Sequence, residues 1–472
     1  MTAGRRPTPE SNETTSSIYP LIRLLRHPAR LLVFGFAAAI FIGGVLLALP
    51  IASQGSPIAF IDALFMATSA VCVTGLAVVD PGGTFSGFGQ AVLLGLVQIG
   101  GLGIATMSTT LLLLIGQDVS LSSFDAVQDS FTTSHRLSLG TLLRLVFLWT
   151  LTIEALGAVV LFLTESQRLP MEQAIWVSVF HAVSAFCNAG FGLRPDNLIS
   201  DRANVGIVLP ISVLVIIGGL GFAVLAELVR WLRRRLRRQR TPVSLHTKVA
   251  LTMTGALLLV GMVGFILLER ANLLAGMNYK EVLLTGWFAS VTPRTAGFNT
   301  VDYGQVTAAT LYFTIVLMLI GGCPGSTAGG IKATTLGVLL ALARARYRGE
   351  RGVRLFNRSV PEANIAKATW VVALAFVIMT IGAILLSALQ VSGQFHPRTV
   401  EWSLGLMFEV VSALGTVGLS TGITPQLNEG GKVLMMLLMF IGRLGPLTIA
   451  IAIAQQKPRS AVSYAEEQVM IG

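Results

Sequence analysis

The stretch "FMATSAVCVTGL" (65–76) is apolar yet too short to cross a bilayer, and it recurs in outline three more times along the chain. The copies read "FHAVSAFCNAGF" (180–191), "FASVTPRTAGF" (288–298) and "FEVVSALGTVGL" (408–419). Each begins with Phe and ends in Gly followed by Leu or Phe, with the glycine 10, 10, 9 and 10 residues after the phenylalanine. Ser69, Ser184 and Ser412 share a column, and Thr292 takes that place in the shortened third copy. A second column follows. "QIGGLG" (98–103), "IIGGLG" (216–221), "LIGGCPG" (319–325) and "FIGRLG" (440–445) set Gly100, Gly218, Gly321 and Gly442 at 25, 28, 24 and 24 residues beyond Gly75, Gly190, Gly297 and Gly418. Two columns in four copies mark an internal repeat.

The material around these segments is membrane-like. The chain has 472 residues, 53% of them hydrophobic and 12% charged, with a mean hydropathy of +0.74. A soluble domain carries about 25% charged residues, so a water-exposed globular surface is excluded. Charge-free runs at 31–52, 81–117, 203–226, 249–268, 303–331 and 368–395 are each long enough to cross ~30 Å of hydrocarbon as helices. Two further crossings are interrupted, 139–164 by Arg144 and Glu154, and 433–456 by Arg443. The predicted fold class is an all-α polytopic membrane protein with eight transmembrane helices, in four pseudo-repeats of span, pore half-helix, filter loop and span around a central pore. The repeats are expected over 30–117, 139–232, 246–346 and 364–456, after a disordered cytoplasmic amino terminus (1–29) and before a carboxyl-terminal tail (457–472).

The location of the charge decides what the formal net charge of +11 means. Of 34 Lys and Arg, 5 fall in 1–30, 2 in 115–145, 8 in 230–248, 7 in 344–367 and 2 in 455–472. Cytoplasmic loops retain such residues, so both termini and these three connectors are expected on the cytoplasmic side of a cell (inner) membrane. The run "RRRLRRQR" (233–240) then reads as an anchor against anionic membrane lipid, and no nucleic-acid partner is predicted. The first span exceeds the 7–15-residue apolar core of a signal peptide and is expected to be retained. Cys72, Cys187 and Cys323 offer neither a disulfide framework nor a C-x-x-C metal pattern.

Non-helical backbone at membrane depth is tolerated only where protein buries it or water lines it. Four Gly-containing loops can meet on one axis, each backed by a short helix that stops mid-membrane. Their carbonyl oxygens can replace the hydration shell of a cation, and the partial negative charge of the helix ends favours it further. Close helix packing is the alternative for any single glycine; four in register favour the carbonyl cage.

On these residues the chain resembles the Ktr/Trk/HKT superfamily of potassium transporters. "TSAVCVTGL", "TPRTAGFNTVD" and "SALGTVGLSTG" carry the likeness over about residues 30–472, and the closing "EEQVMIG" resembles the carboxyl terminus of the Ktr branch (KtrB). The resemblance implies gated, selective K+ uptake that is sodium-dependent or sodium-stimulated, so K+, with Na+ through that dependence, is the ion expected. The implied filter comprises Val73, Thr74 and Gly75; Asn188, Ala189 and Gly190; Thr295, Ala296 and Gly297; and Thr416, Val417 and Gly418. Only Gly75 follows a "VT" pair, so the filter is fourfold only approximately. The resemblance further implies a homodimer seated on a cytoplasmic KtrA-like regulatory ring that binds ATP or ADP and NAD-type nucleotides. No nucleotide is expected on this chain itself, whose connectors are too short for a folded domain of at least ~50 residues.

"GGCPGSTAGGIK" (321–332) is close to the phosphate-binding loop G-x-x-x-x-G-K-[ST]. Gly325 and Gly330 have the spacing, but Ile331 intrudes before Lys332 and no strand precedes the loop. Small residues and Pro324 must break a helix here, just cytoplasmic of the filter. Gly321, Gly322, Cys323, Pro324, Gly325, Ser326, Thr327, Ala328, Gly329 and Gly330 are therefore expected to form a movable gate, with Lys332 marking where helix resumes. The family likeness gives the same role. Arg443 is ionisable at membrane depth, a functional position by default. It is expected to face the pore below the filter, limiting flow electrostatically or through the loop carbonyls. The alternative is a salt bridge to Glu154 or Glu409. Arg294 is expected to brace the third loop from behind, and Cys72, Cys187 and His181 to be packing residues. Rival readings are a proton-coupled Trk-type transporter and a secondary cation transporter with a midplane site, which usually shows two broken-helix copies rather than four. An enzyme would need a polar catalytic cluster at depth, and the sequence offers scattered single charges.

Overall fold

Backbone groups withdrawn from water must bond to one another, and this chain does so chiefly as helices. The computed structural model describes residues 28–103, 139–239, 242–350, 352–391 and 396–445. The sequence expectations for 1–27, for the ends of the second spans of the first and fourth repeats, and for the tail lie outside these. In chain order the helices are α1 (Pro28–Ala48), α2 (Phe60–Val71), α3 (Gly87–Gly101), α4 (Leu139–Glu165), α5 (Met171–Cys187), α6 (Val205–Leu220) and α7 (Phe222–Leu236). They continue with α8 (Leu245–Glu269), α9 (Tyr279–Val291), α10 (Ala308–Met318), α11 (Ala333–Tyr347), α12 (Glu362–Val391), α13 (His396–Gly415) and α14 (Glu429–Leu444).

The four repeated segments form the carboxyl-terminal parts of α2, α5, α9 and α13, and each runs into a Gly-containing loop. The helix that follows each loop starts on a polar cap: Ser86, Asn204, Thr307 and Asn428 accept from the amides of Gly89, Gly206, Thr310 and Gly431. Such caps satisfy amides that a helix start leaves bare. These second helices pack onward. α3 lies on α5, α6 on α9, α10 on α13, and α14 returns to α2, so the contacts close into a ring. Phe65, Phe180, Phe288 and Phe408, the first residues of the motif, are fully buried within it. On α4, Leu148, Leu156, Val159 and Leu163 are exposed while Thr150, Glu154 and Leu161 are buried, the inside-out pattern of a helix against hydrocarbon.

The second glycine column has a packing cause. A Cβ at Gly100, Gly218 or Gly442 would overlap the carbonyl oxygen of Val71, Phe186 or Leu414 respectively, each four residues before the glycine of its own loop. The column lets the second span lie directly on the end of the short helix.

Among the described residues three helices are long and apolar enough to span: Val146–Glu165, Leu245–Glu269 and Glu362–Gln390. The pair α6 and α7 counts as a fourth, bent by 102°. That bend corrects the reading of 203–226 as an unbroken run. Gly221 adopts φ +87°, a left-handed conformation that ends α6. Within the run 81–117 the described residues, to 103, are helical as a single turn at Pro81–Thr84 and then over Gly87–Gly101. The basic connector near 344–367 carries a hairpin of β1 (Arg354–Leu355) and β2 (Arg358–Ser359), turned by Phe356 and Asn357 at positive φ. It is a two-residue hairpin of the kind that needs left-handed residues.

Candidate functional site

The four loops share one backbone pattern. Val73, Asn188, Thr295 and Thr416 have φ of +54°, +62°, +67° and +50°. Two residues on, Gly75, Gly190, Gly297 and Gly418 have φ of +93°, +72°, +76° and +92°. Left-handed residues two apart, with an ordinary one between, turn successive peptide carbonyls to the same side. The glycines bear this freely. For β-branched Val73, Thr295 and Thr416 it costs of order 1–3 kcal/mol each, strain that persists only where surroundings fix it.

The loops meet. A Cβ at Gly75 would overlap the Ala189 oxygen, one at Gly190 would press on Gly297, one at Gly297 on the Val417 oxygen, and one at Gly418 on the Thr74 oxygen. Each loop thus abuts the next and the fourth abuts the first. All twelve residues of the sequence-derived filter lie in this ring, and most are fully buried.

The Ser/Thr column anchors the loops. Ser69 Oγ and Ser412 Oγ accept from the amides of Gly75 and Gly418, both at 3.0 Å. Ser184 Oγ donates to the Phe191 carbonyl at 2.8 Å, and Thr292 Oγ1 to that of Phe298. The backbone carbonyls of the same residues accept from the amides of Thr74, Ala189, Ala296 and Val417 at 2.7–3.0 Å. The sequence marks this column; its capping role is legible only from the structure.

Residues 319–332 run back on themselves beneath the ring. Gly321 N donates to the Ile331 carbonyl at 2.8 Å and Ile331 N to Leu319 at 3.2 Å. Cys323 N donates to the Gly219 carbonyl at 2.8 Å, Thr327 N to Gly218 at 3.3 Å, and Thr327 Oγ1 to Phe186 at 3.2 Å. Phe222 N donates to Gly325 at 3.2 Å, and a Cβ at Gly221 would meet the Pro324 oxygen, so the α6–α7 break is where the loop is seated. Gly322 lies against Ala328, Ser326 and Gly219. On the other side Gly329 and Gly330 lie against Thr416 and the Gly415 oxygen. Lys332 stands at the start of α11 without a side-chain cap, and its Nζ donates back to the Ala328 carbonyl at 2.7 Å.

Arg443 joins three parts. Its Nη1 donates to the Thr327 carbonyl and its Nη2 to the Gly100 carbonyl, which ties the loop to the end of α3. Glu154 instead accepts from Gln98 at 3.2 Å, and Glu409 is held by Ser420, Thr421 and Thr424. Neither carboxylate takes the arginine. Arg294 Nη2 donates to Thr254 Oγ1 at 3.3 Å, which in turn lies 3.8 Å from Cys323 Sγ, so it points away from the ring toward α8. Cys187 Sγ fills the space left by Gly101, and among the described residues no His, Cys, Asp or Glu cluster could hold a metal ion.

The sequence singled out Arg443 and the glycines but not Gly221, nor the return of Lys332 to its own loop. A glycine immediately before a basic amphipathic stretch was the available signal for Gly221.

Comparison with known proteins agrees with this architecture. The family model "TrkH: Cation transport protein" matches residues 36–464. The chain is 39% identical to the Ktr system potassium uptake protein B of Bacillus subtilis, covering 94% of this chain and 97% of that one. It is 37% identical to the potassium/sodium uptake protein NtpJ of Enterococcus hirae, covering 96% and 98%. Among solved structures, the potassium transporter TrkH of Vibrio parahaemolyticus superposes with a TM-score of 0.66 at 18% identity, covering 94% of this chain and 86% of that one. The chain belongs to the TrkH family of cation transport proteins, ion transporters rather than enzymes.

Proposed function

We propose that this chain is the pore-forming membrane subunit of a potassium uptake system. Four repeats, over 30–117, 139–232, 246–346 and 364–456, surround one pore of eight spans, with both termini cytoplasmic. The observation that carries the reading is the ring of four loops with the same pair of left-handed residues, closed by the contacts of Gly75, Gly190, Gly297 and Gly418. Carbonyls held on one side of such loops can substitute for water around a dehydrated cation, with selectivity set by their number and field strength. Short helices ending at the ring add the partial negative charge of their carboxyl ends.

The loop at 321–332 and Arg443 are the gate, placed below the ring where a bent backbone bars the path. Names of full-length relatives, a potassium uptake protein and a potassium/sodium uptake protein, support potassium as cargo and leave sodium as its companion or stimulant. The name "Ktr system" supports a partner: a cytoplasmic KtrA-like ring beneath a homodimer of this chain. Purified protein in liposomes should take up K+ down an imposed gradient and discriminate against Na+. Flux that saturates and stops without a second coupled ion would instead favour a secondary transporter.

A further inference from the structure

Gly190 differs from its three counterparts in one contact. Asn197 Nδ2 donates to the Gly190 carbonyl oxygen at 3.1 Å. Among the described residues no side chain donates to the carbonyl oxygen of Gly75, Gly297 or Gly418. The amide is held in place by a built turn. Asn197 sits at φ +57°, a conformation asparagine tolerates better than most residues, and its amide donates to the Arg194 carbonyl at 3.0 Å. Arg194 is clamped by both oxygens of Glu165 at 2.8 Å and by Asp201, which also takes Arg168 at 2.5 Å. Leu198 N donates to the Asn299 carbonyl at 3.1 Å, fastening the turn to the chain just past Gly297. Asn197 Oδ1 is buried without a partner, as is His181 Nε2, and both groups border Gly192, whose missing side chain makes the room.

We infer that Asn197 is a specificity-determining residue of the pore. The inference rests on the filter reading above. A carbonyl oxygen has two lone pairs. Asn197 occupies one from behind, which fixes the direction of the Gly190 oxygen and lowers the electron density left for a passing ion. A weaker, fixed ligand favours the larger, more easily dehydrated K+; a free one moves inward and offers a stronger field, which favours Na+. The second repeat therefore supplies the weak-field side of an asymmetric cage, and the three ion pairs and the turn bonds around Arg194 hold one amide on one carbonyl.

The test compares cation flux of Asn197→Leu and Asn197→Ala with the parent protein in liposomes, using K+, Rb+ and Na+ singly. Both variants lack the donor and carry no charge, and the smaller alanine serves should leucine fail to fold. The K+ over Na+ ratio should fall by about threefold to tenfold, the worth of one neutral hydrogen bond, through a rise in Na+ flux while saturating K+ flux stays near the parent value. A purely structural role would depress all three fluxes in proportion. An unchanged ratio in both variants, or a proportional loss, overturns the inference. If Gly190→Ser loses selectivity in the same assay, the filter reading stands regardless.

Discussion

Gly95 and Gly100 share one helix and differ in what a methyl group would meet. Nothing lies within 4 Å of a Cβ at Gly95, whereas one at Gly100 overlaps the Val71 oxygen and the Val73 side chain. Forcing volume into such a contact costs about 1–3 kcal/mol. Gly100→Ala and Gly442→Ala should therefore lower the melting temperature in detergent by several degrees, with Gly95→Ala near the parent. Equal melting for all three would refute the packing cause of the second column. The glycines were legible as columns because a backbone that must touch another backbone admits no other residue. The reason for each column was not legible, since the sequence cannot say whether a glycine is needed for its φ, as at Gly75, or for its bareness, as at Gly100.

At the scale of elements, the short helices and the break between α10 and α11 were readable because composition forbids alternatives: eleven apolar residues cannot cross, and "GGCPGSTAGG" cannot stay helical. The break at Gly221 was missed because one glycine in an apolar run is ordinary in membranes; only the neighbouring Gly325 carbonyl, offered to Phe222 N, shows why the helix ends there. The hairpin at 354–359 was missed because two-residue strands leave no periodicity. On the proposed reading, the loop at 321–332 is a gate, and Arg443 would bias its equilibrium. Hydrogen bonds to charged groups are worth about 1.5–3 kcal/mol, and Arg443 makes two, to Thr327 and Gly100. Arg443→Gln, and separately a shortening of 322–330, should raise K+ flux roughly tenfold, the equivalent of about 1.4 kcal/mol, with K+ over Na+ preference nearly intact. Flux at or below the parent value in both variants, at equal protein per liposome, would count against this placement.

On the scale of the whole molecule, the sequence-derived picture and the structure share the helical class and the ring of loops, while span boundaries were the weak point because charge-free runs mark immersion, not helix. A pore of the proposed kind must be closed by something that senses the cell. The basic connectors, with 8 and 7 cationic residues in 230–248 and 344–367, suit an acidic or nucleotide-loaded surface. Alone, the chain should give weak flux indifferent to ATP and ADP; adding the ring protein should make flux differ between the two nucleotides, and strong nucleotide control of the chain by itself would rule the partner out. The central claim is the carbonyl cage, and its most direct measurement is the K+ over Na+ flux ratio of Gly75→Ser, Gly190→Ser, Gly297→Ser and Gly418→Ser proteins in liposomes. Each substitution puts a side chain at a left-handed position pressed against a neighbouring loop. The account predicts that each admits Na+ or raises the K+ concentration needed for half-maximal uptake, and an unchanged ratio and K+ dependence in all four would contradict it.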